Sequence, residues 1–188
     1  LIKSGKPGVF IAGADINEIK DIYDKETAKD KVQQGQDILN QIEALPFPTI
    51  AAIQGVCMGG GTELALACTY RVASDHEKVT IALPEVNLGI IPGFGGTQRL
   101  PRLIGLQQSL PLILTGKGVN GKKAEKIRLV DAYFSDALFD QHLLTFVKQI
   151  LVKPEQVTSK RIRKGFLNAV IEQTFLGRSI VYSQARKT

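Results

Sequence analysis

The chain has 188 residues, enough for one domain of ordinary size with a real hydrophobic core. A hydrophobic content of 44% excludes a disordered or collagen-like chain, and no apolar run approaches the ~20 residues needed to span a bilayer. The net charge of +6 fits plain solubility, and it also fits a polyanionic ligand such as a nucleotide-bearing cofactor or nucleic acid.

The chain opens at Leu1 on a strand-like run, without a methionine, so an early part of the fold is expected upstream. Residues 9–12 read as the end of a strand. The turn Gly13-Ala14-Asp15 follows, and Asp15 can cap a helical start at 16–19. From 25 to 45, Ala28, Val32, Ile38, Leu39, Ile42 and Leu45 recur at helical spacings, giving an amphipathic helix that Pro46 ends. Residues 49–53 form a short apolar strand. Gly59-Gly60-Gly61 then open a mostly apolar, hence buried, helix over 62–68. Strands at 70–73 and 79–83 follow, the second closed by Pro84, and 90–96 is a loop that no packing argument requires. Helices over 97–103 and 105–114 come next. Pro101 sits near the start of the first or bends it, and Thr115-Gly116 stops the second. A helical turn at 122–127 precedes a strand at 129–131, and amphipathic helices with basic faces cover 139–151 and 158–188. Without a repeat or linker, residues 1–188 are expected to form a single α/β domain.

Three consecutive glycines make physical sense where backbone must approach something closely or adopt φ > 0. The helix start they form offers free N–H groups and a positive dipole end to an oxygen that becomes anionic during a reaction. Glu63 stands in the first turn of that helix, and Glu85 follows Pro84, both in apolar surroundings. Two buried carboxylates converging on one pocket can hold a water and shuttle its protons, with pKa values pushed apart. Alone, Glu63 is equally a dipole-stabilising residue and Glu85 an exposed loop acid; spacing does not decide whether they meet. Cys57 and Cys68 read as free buried thiols of a reducing compartment. His76 and His142 have no ligand partners close by in sequence, so no metal site is expected. No glycine loop fits a Walker or dinucleotide pattern.

The ordered set is more specific than its parts. Val9-Phe10-Ile11-Ala12-Gly13-Ala14-Asp15-Ile16, Gly55-Val56-Cys57-Met58-Gly59-Gly60-Gly61-Thr62-Glu63 and Leu83-Pro84-Glu85, continuing through Gly93-Phe94-Gly95-Gly96-Thr97-Gln98-Arg99-Leu100, resemble the crotonase (enoyl-CoA hydratase/isomerase) superfamily. Asp15-Ile16-Asn17 and Arg99-Leu100-Pro101-Arg102-Leu103-Ile104-Gly105 narrow this to the hydratase portion of multifunctional fatty-acid oxidation alpha subunits. The resemblance implies a crotonase-like ββα spiral, N-terminally truncated, with C-terminal helices, as one region of a longer multifunctional chain. It implies an oxyanion hole from the Ala14 and Gly60 amides, Glu63 as base on the added water and Glu85 as handler of the α-carbon proton. Ala12, Asp15, Ile16 and Asn17 would line the pantetheine and acyl path. Pro84 and Gly93 complete the substrate-binding set, Gly93 helping to place the water. The implied reaction is reversible syn hydration of a 2-trans-enoyl-CoA in fatty-acid β-oxidation, with possible isomerisation of a 3-enoyl-CoA.

No cofactor is implied for this region: the CoA thioester is the substrate, and NAD would belong to a dehydrogenase portion lying outside the chain. Implied partners are acyl-CoA and, in the full-length protein, a thiolase-type beta subunit or further copies of itself, in the bacterial cytoplasm or the mitochondrial matrix. Neither nucleic acid nor a membrane span is expected. Other acyl-CoA chemistry on the same fold, such as hydrolysis or decarboxylation, is the first alternative. A non-catalytic RNA- or partner-binding role for the basic run Lys160-Arg161-Ile162-Arg163-Lys164 is the second.

Overall fold

The computed structural model describes residues 1–15, 23–152 and 183. Its seven strands are β1 (Ile2–Lys3), β2 (Gly8–Ile11), β3 (Ile50–Ile53), β4 (Gly55–Met58), β5 (Tyr70–Ser74), β6 (Thr80–Ala82) and β7 (Ala132–Phe134). Among the described residues the named helices are α1 (Lys25–Glu43), α2 (Gly60–Ala67), α3 (Gly96–Ile104), α4 (Leu106–Thr115), α5 (Gly121–Lys126) and α6 (Phe139–Val152). Odd-numbered strands pair in parallel in the order β1-β3-β5-β7, and even-numbered strands form a second parallel sheet, β2-β4-β6. Each successive strand pair therefore steps from one sheet to the other, and a helix returns the chain. This is the ββα spiral expected from the sequence.

Parallel strands covered on both faces carry continuous apolar runs rather than alternation. All residues of β3 and β5 are buried, and their parity divides the core. Ala51, Ile53 and Ala73 pack with Leu66, Leu83, Leu100 and Leu129 on the side of α2 and the second sheet. Ile50, Ala52, Tyr70 and Val72 pack against Phe139, Leu143, Phe146 and Ile150 of α6. Those four residues recur every three or four positions along α6, and burying each stabilises the fold by ~1.5–3 kcal/mol. Edge-on contact of the Tyr70 and Phe146 rings, with centroids 5.9 Å apart, adds directionality to that layer.

Three expectations shift. The strand placed at 129–131 lies instead at Ala132–Phe134. Leu129 and Val130 are buried, but their amides close the end of α5 on Ala124 O, and the chain first bonds the sheet at Asp131, whose amide donates to Arg71 O of β5. Apolar character alone cannot separate such a buried turn from a strand. Glu85 sits in a 3-10 turn, Pro84–Leu88, rather than at a strand end. In α1 only Leu39 is buried; Val32, Ile38 and Leu45 are exposed. The amphipathic helix exists, but within this chain its apolar stripe is only partly covered. Pro101 sits inside α3, and the helix placed at 158–188 lies outside the described residues apart from position 183.

Candidate active site

The two sheets bring three chain segments to one cavity. β2 leads into 12–15, and its register against β4 slips between Val9 and Ile11, just ahead of that segment. β4 runs directly into Gly59 and α2, while β6 delivers Pro84 and Glu85. Gly59 takes φ 55° at the N-cap of α2, and its amide donates to Ala82 O at 3.0 Å, tying the helix start to β6. Gly61 is where α2 crosses β2: a Cβ there would lie 2.5 Å from Ile11 O, so no side chain fits. The buried Thr62 hydroxyl lies 2.7 Å from Ala82 O and 2.9 Å from Cys57 O, fixing α2 to both β4 and β6.

The cavity measures about 1310 Å3, and Ala12, Ala14, Asp15, Gly60, Glu63, Pro84, Glu85 and Gly93 all line it. Ile16 and Asn17, expected beside them, lie outside the described residues. The first N–H groups of an α-helix have no intrahelical partner, so α2 presents amides where Gly60 meets the cavity. The 12–15 segment faces the same place, with Gly13 Cα 3.7 Å from the Cβ position of Gly59.

Glu63 is 2% exposed. Its Oε1 accepts the Phe94 and Gly96 amides at 2.8 Å each, which leaves Oε2 for the cavity. Burial raises its pKa above the ordinary 4.5; the Gly96 amide opposes this, the Glu85 charge reinforces it, and the Phe94 amide and Arg99 lower it. Glu85 is half-buried, its Oε1 sits 3.3 Å from the Cβ position of Gly59, and its Oε2 is shut from solvent with no protein partner. Burial raises its pKa as well. Two carboxylates that sense each other in one cavity ionise in sequence, so one can hold a proton while the other accepts one.

Residues that sequence reasoning missed support this arrangement from α1 and α3. Arg99, 9% exposed, donates to Phe94 O, Glu43 Oε2 and Asn40 Oδ1 at 2.8, 2.8 and 2.6 Å. Gln36 donates to Gly93 O at 2.7 Å. The Phe94 ring lies against Gly35, where a Cβ would come within 2.4 Å of it. An internal helix glycine in sequence was the available signal, without its partner. Both cysteines are free and buried, and burial pushes the Cys57 thiol up to about 12, so it does not act as a thiolate. The basic run at 160–164 lies outside the described residues. No helix among the described residues is long and apolar enough to cross a membrane.

The enoyl-CoA hydratase/isomerase family model matches residues 1–180. The fatty acid oxidation complex subunit alpha of Vibrio parahaemolyticus is 46% identical across the whole chain, which covers 26% of that protein. That of Shewanella halifaxensis is 43% identical with the same coverage. Among solved structures, the enoyl-CoA hydratase of Bacillus anthracis superposes with a TM-score of 0.74 at 33% identity, over 98% of this chain and 70% of that one. The enoyl-CoA hydratase of Thermoplasma volcanium gives 0.74 at 28% identity, over 96% and 73%. The chain thus spans about a quarter of the length of the curated relatives it matches.

Proposed function

The chain belongs to the enoyl-CoA hydratase/isomerase family, and from that premise we propose that it hydrates 2-trans-enoyl-CoA to 3-hydroxyacyl-CoA by two glutamates and a pair of backbone donors. The observation that carries the reading is the convergence of Glu63 and Glu85 on the cavity where α2 begins. The thioester carbonyl oxygen takes the Ala14 and Gly60 amides, and charge flowing onto it makes the β-carbon electrophilic. Such a donor is worth roughly 3–4 kcal/mol of barrier where one has been removed from other enzymes.

Glu63 Oε2 accepts a proton from water as the water oxygen bonds the β-carbon. The electron pair of the double bond moves into the enolate, and Glu85 gives its proton to the α-carbon as the enolate collapses. Both groups act from one face of the acyl chain, so addition is syn. The proton gained by Glu63 and the one lost by Glu85 are evened out through solvent between turnovers. Gly93 lines the cavity and would help place the water, with Ala12, Asp15 and Pro84 along the acyl and pantetheine path. In reverse, Glu85 withdraws an α-proton; from a 3-enoyl-CoA, delivery of that proton to the γ-carbon completes the shift of the double bond to the 2 position. The chemistry needs no cofactor in this region, since water and the two carboxyls supply every atom and proton. The further activities of the longer relatives, a beta-subunit partner and a cytoplasmic or matrix setting belong to the same proposal.

The test is loss of the enoyl absorbance of crotonyl-CoA by the full-length polypeptide and by its Glu63→Gln and Glu85→Gln variants. Turnover that both variants abolish supports the reading. Undiminished turnover in either removes that residue from the chemistry.

A further inference from the structure

We propose that Arg99 is a positioning residue for Glu63, acting through the loop at 93–96 that it ties to α1; the proposal rests on Glu63 serving as the base. Three successive peptide units of this loop are anchored. In the first, Gly93 O accepts Gln36 Nε2 at 2.7 Å while its other end, Phe94 N–H, donates to Glu63 Oε1 at 2.8 Å. In the second, Phe94 O accepts an Arg99 guanidinium N–H at 2.8 Å. In the third, Gly95 O takes the Gln98 and Arg99 amides while Gly96 N–H donates to Glu63 at 2.8 Å. The two peptide groups that orient Glu63 are thus held from behind by Gln36 of α1 and by the first turn of α3, and the Arg99 side chain holds the unit that joins them.

Only a guanidinium serves this position, because it donates in three directions at once in a fixed plane, whereas an ammonium on a flexible stem does not. Arg99 spans from Glu43 and Asn40 on α1 to Phe94. The Phe94 ring stands between the two helices, against Gly35 of α1 and 3.5 Å from the Cβ position of Gly60. An isolated stability role does not account for the set. Glu43 is 58% exposed, and a half-solvated ion pair contributes little. The charged groups facing Glu63 are Glu85 from the 3-10 turn and Arg99 from α3. Asp15, Lys31, Glu43 and Arg102 also line the cavity. Arg99 is the cation among the described residues whose charge lowers the Glu63 carboxyl, so its loss removes that charge as well as the anchor.

Arg99→Met, Arg99→Lys and Gln36→Leu in the full-length polypeptide separate these roles. Hydrogen exchange by mass spectrometry over 92–98 reads the anchoring without any turnover. In Arg99→Met it is expected to speed up about tenfold or more, while the 70–74 segment of β5 stays at the wild-type rate. With crotonyl-CoA, kcat is expected to fall about tenfold or more with KM within about threefold, and the acid limb of the pH profile to move up. Arg99→Lys keeps the charge, so its acid limb stays near wild type while its exchange and kcat follow Arg99→Met. Gln36→Leu, which removes one half-buried bond, gives the same signs more weakly. Wild-type exchange over 92–98, equal loosening of β5, or a change in KM alone each overturns the proposal. A wild type that fails to hydrate crotonyl-CoA overturns the base role of Glu63 and not the anchoring, which exchange reports by itself.

Discussion

Replacing Glu63 by Gln should move activity and stability in opposite directions. The amide oxygen of Gln can still accept the Phe94 and Gly96 N–H groups that now meet Oε1 at 2.8 Å, so the 93–96 loop stays in place. What changes is the second atom, which turns from a proton acceptor into an NH2 donor. General-base contributions run at roughly 10²–10⁴, or ~3–5 kcal/mol of barrier, and kcat should fall by that amount with KM little altered. Stability follows from the direction of the pKa shift. Burial places the folded pKa of Glu63 above 4.5, so the folded state holds its proton after the unfolded state has lost it. Folding stability then declines as pH rises from about 4.5 through the folded pKa and stays lower above it. Gln mimics the protonated form and escapes that decline. At pH 7 to 8 the variant should melt at or above the wild-type temperature, and at pH 4 the two should coincide. Crotonyl-CoA absorbance and thermal melts at both pH values are the assays. A variant with more than a tenth of wild-type kcat refutes the base role, and one that melts well below wild type at pH 8 refutes the burial argument.

Three more predictions rest on the same geometry. The pH–kcat/KM profile should be a bell with both limbs above the ordinary glutamate value, because burial raises both carboxyls. The residual activity of Glu85→Gln should lose the alkaline limb and keep its acid limb, since Gln mimics the protonated Glu85 that faces Glu63 while Glu63 titrates. Gly61→Ala places a Cβ 2.5 Å from Ile11 O, so α2 must shift off β2; overpacking of this kind costs about 1–3 kcal/mol. Denaturant melts should show that loss, with a larger fall in kcat than Thr62→Ser gives, since Ser keeps the hydroxyl bonds to Cys57 and Ala82.

The glycine–glutamate part of the candidate site was legible because it is local. Glycines, helix start and glutamate are contiguous at 59–63, and local apolar character marks β3 and α2, whereas β4 between them was not separated from β3. Glu85 was legible as a residue but not in its setting: the turn at Pro84–Leu88 depends on β6 pairing with β4, a contact between residues far apart in sequence. The support behind Glu63 was not legible. Gln36, Asn40 and Glu43 fall on the polar side of the 25–45 helix, and Arg99 stands in the family-like run without a role of its own, until α1 and α3 meet. Strand β7 was misplaced by three residues because Leu129 and Val130 are apolar for the core's sake rather than the sheet's.

The central claim is that water adds across the double bond of a CoA thioester, and the most direct test is the fate of labelled water. With crotonyl-CoA in deuterated water enriched in the heavy oxygen isotope, mass spectrometry of the products should show 3-hydroxybutyryl-CoA. The heavy oxygen should sit at the β-carbon and one deuterium at the α-carbon, with the thioester intact. Free CoA with labelled crotonate would mean hydrolysis of the thioester and would contradict the account.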